Sequence, residues 1–293
     1  QRRGSARLAS FVRGRLHRSS DPEAASERRW REAAGSAPAV VWAFVLLLLV
    51  VGSRHVITGG VPPFGEFLSF PASPADVWSS FSSGWSSHGL GSSTASPTGL
   101  GLLAVASVVT LFHMGLLHTL AIVGLYAVGA LGAYRLGSLF PSARARLVLL
   151  VVYAAVPLPA HLLSAGQWTG LVVYAAVPWV VHLLRRLAGL DPFASAEGDV
   201  DGVVRPGRRR RVRLVAQLSL VTAVAASFAP VAAVVVLVLG VVLGAATIAV
   251  GTRLRAGLVC LGGTATAVAV SFVLLLPWSG TLFGSGGWIA VVG

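Results

Sequence analysis

Long apolar blocks without an internal charge restrict the fold of this chain more than any other feature. Val40–Val51, Leu100–Leu111, Leu147–Val156 and Val231–Val250 are such blocks. In water each would need burial on every side. In a bilayer each satisfies its own backbone N–H and C=O groups as a helix and turns its side chains to lipid. Charged residues are 11% of the 293 and the mean hydropathy is +0.79, whereas a soluble domain carries about a quarter charged residues. The chain therefore reads as all-α: a polytopic bundle of transmembrane helices whose first partner is the lipid bilayer.

A helix of about 20 apolar residues crosses the hydrocarbon core. The first span is expected over Ala39–Ile57. Thr58–Thr98 follows, rich in Ser, Gly, Pro and Trp and too polar to span, which makes one large outer loop over 58–98. Gly99–Gly137 has the length for one tilted helix plus a short one, or for two tight spans. A single crossing brings Arg135, Arg144 and Arg146 into the cytoplasm, so Gly99–Phe112 is expected as a short non-spanning or re-entrant helix on the outer side and Leu116–Leu136 as the second span. Further spans are expected at Leu147–Leu163, Thr169–Leu184, Leu214–Ser227, Val231–Val250 and Leu258–Leu276, about seven in all. The fifth ends at Phe228-Ala229-Pro230, because proline removes a donor and turns the chain.

The formal charge is +13 and every basic side chain is arginine; there is no lysine. The arginines lie in short runs between apolar blocks, where they set topology. No compact basic face with interleaved aromatics is present, which argues against nucleic acid as a partner. The threading gathers Arg185, Arg186, Arg205, Arg208–Arg211, Arg213, Arg253 and Arg255 on the cytoplasmic side with the N-terminus, and leaves Arg54 on the other. Residues 1–36 are then an Arg-rich cytoplasmic juxtamembrane segment, and 37–293 a transmembrane domain with a cytoplasmic loop over 188–213. Leu8, Phe11, Val12 and Leu16 share one helical face, which suits either a basic amphipathic helix on an anionic leaflet or a solvated linker. Asp191, Glu197, Asp199 and Asp201 beside Arg208–Arg211 suit a solvated loop. The chain starts at Gln1 without Met and stops just after Trp288–Val292. Both ends read as cuts, and a catalytic domain upstream in the full-length chain stays open.

Smaller patterns mark packing. Cys260 lies inside an apolar block and reads as a small buried residue. Gly240 with Gly244, and Gly129 with Ala133, are small-xxx-small pairs that let helices approach closely. A short echo links Val151-Val152-Tyr153-Ala154-Ala155-Val156-Pro157 to Val172-Val173-Tyr174-Ala175-Ala176-Val177-Pro178. It falls on consecutive spans of opposite direction and reads as local similarity between two Pro-bent helices.

Polar groups on the outer side are few: Arg54, His55, Glu66, Asp76, His88, His113, His118, His161 and Gln167. Glu66 and Asp76 are the only carboxylates there, so a general base or a metal-binding carboxylate acting outside has to be one of them. Asp76 also suits the cap of a short helix over Val77–Phe81. Trp78, Phe81, Trp85, Trp168, Trp278 and Trp288 collect near the outer boundary, as interfacial anchors or as faces for a sugar. No His-Glu-x-x-His spacing is present, and the metal question stays open; a divalent cation is the candidate cofactor.

Asp76-Val77-Trp78, Gly84-Trp85-Ser86-Ser87-His88-Gly89-Leu90-Gly91-Ser92, Pro97 before a short helix, and the outer turn Ser164-Ala165-Gly166-Gln167-Trp168-Thr169-Gly170 follow a first span preceded by arginines. This order resembles the membrane region of large envelope glycosyltransferases of high-GC bacteria, with the GT-C-like plan shared by arabinofuranosyltransferases; some such enzymes carry a family-2 glycosyltransferase domain ahead of the membrane part. The resemblance covers roughly residues 40–230 and rests on arrangement. It implies a plasma-membrane enzyme that handles a polyprenyl-phosphate-linked sugar or glycan, with the catalytic carboxylate on the first outer loop. Ser86 stands where the arabinofuranosyltransferase pattern has Asp, so the role would pass to Asp76 or Glu66, with Trp85, His88, His161 and Gln167 against substrate. The competing readings are a transporter or lipid-glycan flippase, and a non-catalytic membrane scaffold.

Overall fold

The structure is a computed structural model and describes residues 38–67, 70–84, 95–140, 142–190, 207–249 and 254–283. The chain divides into two compact units, residues 1–47 and 48–293. The described part of the first is the beginning of helix α1 (Pro38–Gly52). The architecture below concerns the second.

Every regular element among the described residues is helical: α2 Arg54–Gly59, α3 Pro74–Ser82, α4 Thr98–Ala106, α5 Met114–Leu136, α6 Ala143–Ala155, α7 Leu158–Ser164, α8 Trp168–Leu187, α9 Arg208–Phe228, α10 Val231–Ala249, α11 Leu254–Leu274 and α12 Trp278–Thr281, with a 3-10 turn at Gly137–Leu139. Six helices are long and apolar enough to cross a membrane, α6 and α7 counting as one. α1 is shorter than these. It ends at Gly52-Ser53, two poor helix formers, yet the Ser53 N–H still reaches Leu49 O at 2.9 Å and Ile57 N–H reaches Ser53 O at 2.9 Å. The residues expected as a first span thus form α1 and α2 with one irregular residue between them, and neither is among the six helices long enough to cross, against the seven expected. α4 has 9 residues; at about 1.5 Å per residue it is far too short to cross, as its sequence required.

Side-chain contacts fix the helix directions. Gly129 and Gly132 of α5 face Tyr174 and Trp179 of α8, so these two run parallel. Gly129 also faces Tyr153 and Gly137 faces Arg146, so α6 runs against α5. Gly240 meets Thr264 and Gly244 meets Leu261, which sets α10 against α11. Phe228, at the end of α9, packs on Trp168, at the start of α8. Consequently the end of α5 (Arg135), the start of α6 (Arg144, Arg146), the end of α8 (Arg185, Arg186) and the starts of α9 (Arg208–Arg211, Arg213) and α11 (Arg255) share one end of the bundle. The described residues of 60–67, 70–84 and 95–113 lie at the other, where Thr98 Oγ1 donates to Leu275 O at 3.4 Å.

The main core joins α8 to α11 through Val180, Leu184, Leu218, Ala226, Val236, Cys260 and Ala267, among others. It is rich in small residues, as expected where helices must pack without a hydrophobic drive from water. Hydroxyls inside it turn back on their own helices: Thr222 Oγ1 donates to Leu218 O at 2.8 Å and Thr264 Oγ1 to Cys260 O at 2.7 Å. Gly240, Gly244 and Gly257 sit where a Cβ would overlap the facing helix. Gly132, which no small-residue pattern flagged, makes room for the Trp179 indole.

The heptapeptide echo acquires a physical meaning here. Tyr153 Oη donates to Tyr174 O and Tyr174 Oη donates to Tyr153 O, with the rings stacked 4.6 Å apart. Each carbonyl precedes by four residues a proline, Pro157 or Pro178, that has no N–H to give it. The two copies therefore meet across an antiparallel local two-fold: Tyr153 satisfies the Tyr174 carbonyl that Pro178 leaves without its helical donor, and Tyr174 donates to the Tyr153 carbonyl, which Val156 N–H also approaches at 3.4 Å.

Candidate functional site

The end opposite the arginines is held by a small set of close contacts. Phe67 is 2% exposed and enters a cluster with Ile122 of α5, Leu162 of α7 and Leu171 of α8. Its ring meets Phe64 and Trp168 edge to face, at 5.7 and 6.5 Å. Beside it the chain at Gly65 touches the α7–α8 turn backbone to backbone. Gly65 has φ +59 and Gly166 φ +67; a Cβ on the first would lie 2.8 Å from Gly166 O, and on the second 2.7 Å from Phe64 O. Glycine is required twice over, by the left-handed conformation and by the absence of space.

This contact positions Glu66. Its N–H donates to Gly166 O at 2.8 Å, and its Oε2 accepts from Thr169 N–H at 2.6 Å. Thr169 lies in the first turn of α8, whose N-cap, Gln167, makes no capping hydrogen bond. Glu66 thus caps α8 from a hundred residues away, where an anion is favoured by the orphan N–H groups and the helix dipole. Gln167 is exposed on the same turn, and His161 is exposed in α7 before it, its carbonyl accepting from Ala165 N–H and Ser164 Oγ. The structure therefore brings Glu66 to the turn that carries Gln167, and no hydrogen bond joins His161 to either among the described residues.

Asp76 belongs to a second patch. The helix expected over Val77–Phe81 begins earlier, at Pro74, and its N-cap is Ser73, whose Oγ accepts from Asp76 N–H at 3.2 Å. Asp76 is not the cap but stands in the first turn, exposed, with its carbonyl accepting from Ser79 and Ser80 hydroxyls. No described residue donates to its carboxylate. Val77 fixes α3 by packing against Met114 and Leu117, and Ser96 Oγ donates to Ser80 O at 2.8 Å. Trp78 is 53% exposed and lies 5.6 Å from Phe81, so this patch offers a carboxylate, hydroxyls and aromatic faces together. Trp85 and His88, the other expected substrate contacts, lie outside the described residues.

His113 and His118 have different surroundings. His113 is the N-cap of α5, its Nδ1 lying 3.1 Å from Leu111 O. His118 is 8% exposed, its ring stacked on Phe70 at 4.2 Å. Among the described residues no three of His, Cys, Asp and Glu gather as a metal group. The carboxylates that could hold a divalent cation are Glu66 and Asp76.

Sequence reasoning missed Phe67 and the Gly65–Gly166 contact. Two Phe-flanked residues in a Pro/Gly-rich loop were the available signal. The short helix expected over Gly99–Phe112 ends earlier, at Ala106, and the break expected before α5 holds its left-handed residues at Leu111 (φ 49) and Phe112 (φ 67), not at glycine. Comparison with known proteins returned no match to a family model, a curated protein or a solved structure.

Proposed function

We propose that this chain is the membrane-embedded portion of a glycosyltransferase that handles a polyprenyl-phosphate-linked sugar or glycan in cell-envelope polysaccharide synthesis. The observation that carries the reading is Asp76, an exposed carboxylate to which no described residue donates, on a helix turn at the end of the bundle opposite the arginines. A sugar acceptor needs a base at its hydroxyl: the carboxylate takes the proton, the oxygen attacks the anomeric carbon, and the lipid phosphate leaves with the bond electrons. Aromatic faces such as Trp78 suit the sugar ring. In this reading the membrane is the bacterial plasma membrane, with the N-terminus and the arginine end in the cytoplasm, as the positive-inside bias requires.

Glycan transfer by the full-length protein tests the assignment. Asp76→Ala is expected to lower the rate by about 100-fold or more, the usual contribution of a general base. Glu66→Gln separates the two carboxylates, because a Gln oxygen still accepts from the Thr169 N–H. It is expected to leave the rate within about threefold, the loss of a capping charge being small. Full activity of Asp76→Ala together with a collapse for Glu66→Gln moves the base to Glu66; full activity of both removes an outer carboxylate mechanism.

A second reading, a lipid-glycan flippase, draws on the two proline-containing segments that pair across a local two-fold, since inverted elements recur in transporters. Flipping of a labelled lipid-glycan by a transfer-dead Asp76→Ala protein would favour it.

A further inference from the structure

We infer that the start of α9 is a docking surface for the phosphate headgroups of anionic phospholipids. Residues 208–213 are all exposed, and the first buried residue is Leu214. The opening turn and a half of the helix, about 9 Å at its rise per residue, therefore stands clear of the bundle. Arg208, Arg209, Arg210, Arg211 and Arg213 fill it with guanidinium groups. The N-cap, Gly207, makes no side-chain hydrogen bond, and no acid lies in the first turn. Like charges here repel at three- and four-residue spacing, and the helix dipole adds to them.

Arg144, at the start of α6, and Arg255, at the start of α11, are exposed at the same end. This surface calls for an anion, and its apolar members say which kind. Val212 is 62% and Leu254 63% exposed beside the arginines. A soluble polyanion has nothing to place on them. A phospholipid does, because its phosphodiester accepts two N–H bonds from a guanidinium while its acyl chain begins at the next level down.

The test uses the full-length chain in phosphatidylcholine vesicles doped with spin-labelled phosphatidylglycerol or spin-labelled phosphatidylcholine, reading the motionally restricted fraction of each. The wild type is expected to prefer the anionic lipid about fivefold or more, since one arginine near such a surface is worth about that factor. High salt should reduce the preference by screening. Changing all of Arg208–Arg211 and Arg213 to Gln should bring it below about twofold. Arg208→Gln with Arg211→Gln should give an intermediate value, and this variant decides the matter where the fivefold one does not insert. Arg54→Gln, at the other end, should leave the preference unchanged.

Equal selection of both lipids by the wild type overturns the inference, as does an unaltered preference in Arg208→Gln/Arg211→Gln. Loss of the preference on adding inorganic phosphate at matched ionic strength also overturns it, and points to a free-phosphate site instead. A preference gained only when Asp191, Glu197, Asp199 and Asp201 are amidated would show that the chain's own acids occupy the guanidiniums, which again excludes the lipid.

Discussion

Replacing Gly166 by alanine is expected to release the segment around Glu66 from the bundle. The new Cβ would stand 2.7 Å from Phe64 O and 2.8 Å from the Phe64 ring, in a backbone conformation with φ +67. The left-handed conformation alone costs about 1 kcal/mol for an L-residue. The overlap costs more, because its partner is a backbone carbonyl that no rotamer change can move. Relief comes by separating the two strands of chain, and that breaks the Glu66–Thr169 hydrogen bond and withdraws Phe67 from Ile122, Leu162 and Leu171. Loss of a cap costs about 1 kcal/mol, and emptying a buried Phe site about 3 kcal/mol or more. A total destabilisation of about 3 kcal/mol or more is expected for this region. Chymotrypsin cleavage at Phe64, Phe67 and Phe70 in the native protein reads it directly, as a gain of at least tenfold in rate. Gly84→Ala is the control: Gly84 has φ +62 but nothing within 4 Å of its Cβ position, so it carries the conformational cost without the collision. If the two variants are cleaved alike, the close approach of the Gly65 and Gly166 backbones is not what holds this segment.

The second large effect concerns the tyrosine pair. Tyr153→Phe removes the only hydroxyl among the described residues that reaches Tyr174 O, whose helical donor is missing because residue 178 is proline. An unpaired carbonyl in an apolar interior costs about 1–3 kcal/mol, and interhelical hydrogen bonds in membrane proteins lie toward the low end, up to about 1.7. A loss of about 1–2 kcal/mol is therefore expected when unfolding is driven by SDS in mixed micelles. Pro178→Ala restores the N–H four residues on. In that background Tyr153→Phe should cost about 1 kcal/mol less, a coupling that a mere loss of ring packing cannot produce. The α8 side is the cleaner one to test, because α8 runs unbroken through Pro178 whereas α6 stops at Ala155. There Val156 N–H also approaches Tyr153 O, at 3.4 Å. Additive effects of the two substitutions would mean that the hydroxyl and the proline are unrelated.

These two cases show what can be read from the sequence and what cannot. The spans were readable because their signal is local: about twenty apolar residues bounded by arginine or glycine. So was the short α4, because Arg135, Arg144 and Arg146 permit only one crossing before them. α3 starts three residues before the expected Val77, at Ser73-Pro74, the usual cap followed by proline in the first turn. The capping of α8 by Glu66 was out of reach, since the two residues are 103 apart and nothing near either announces the other. The tyrosine echo was visible as a pattern. Its meaning needed the register between two antiparallel helices, which the pattern alone does not supply. Of the candidate site, the carboxylates were singled out by elimination, and only the structure shows that Glu66 caps α8 while Asp76 stands exposed in the first turn of α3.

The sidedness of Asp76 relative to the arginines underlies the proposed chemistry, and cysteine accessibility measures it. In a Cys260→Ala background, Ala72→Cys places a thiol on the exposed approach to α3, and Ser142→Cys places one at the exposed start of α6. A membrane-impermeant maleimide applied to sealed cells should label Ala72→Cys at once, and Ser142→Cys only after the membrane is opened. Labelling of both from one side, or of Ser142→Cys alone from outside, would contradict the placement of the carboxylates on the outer face.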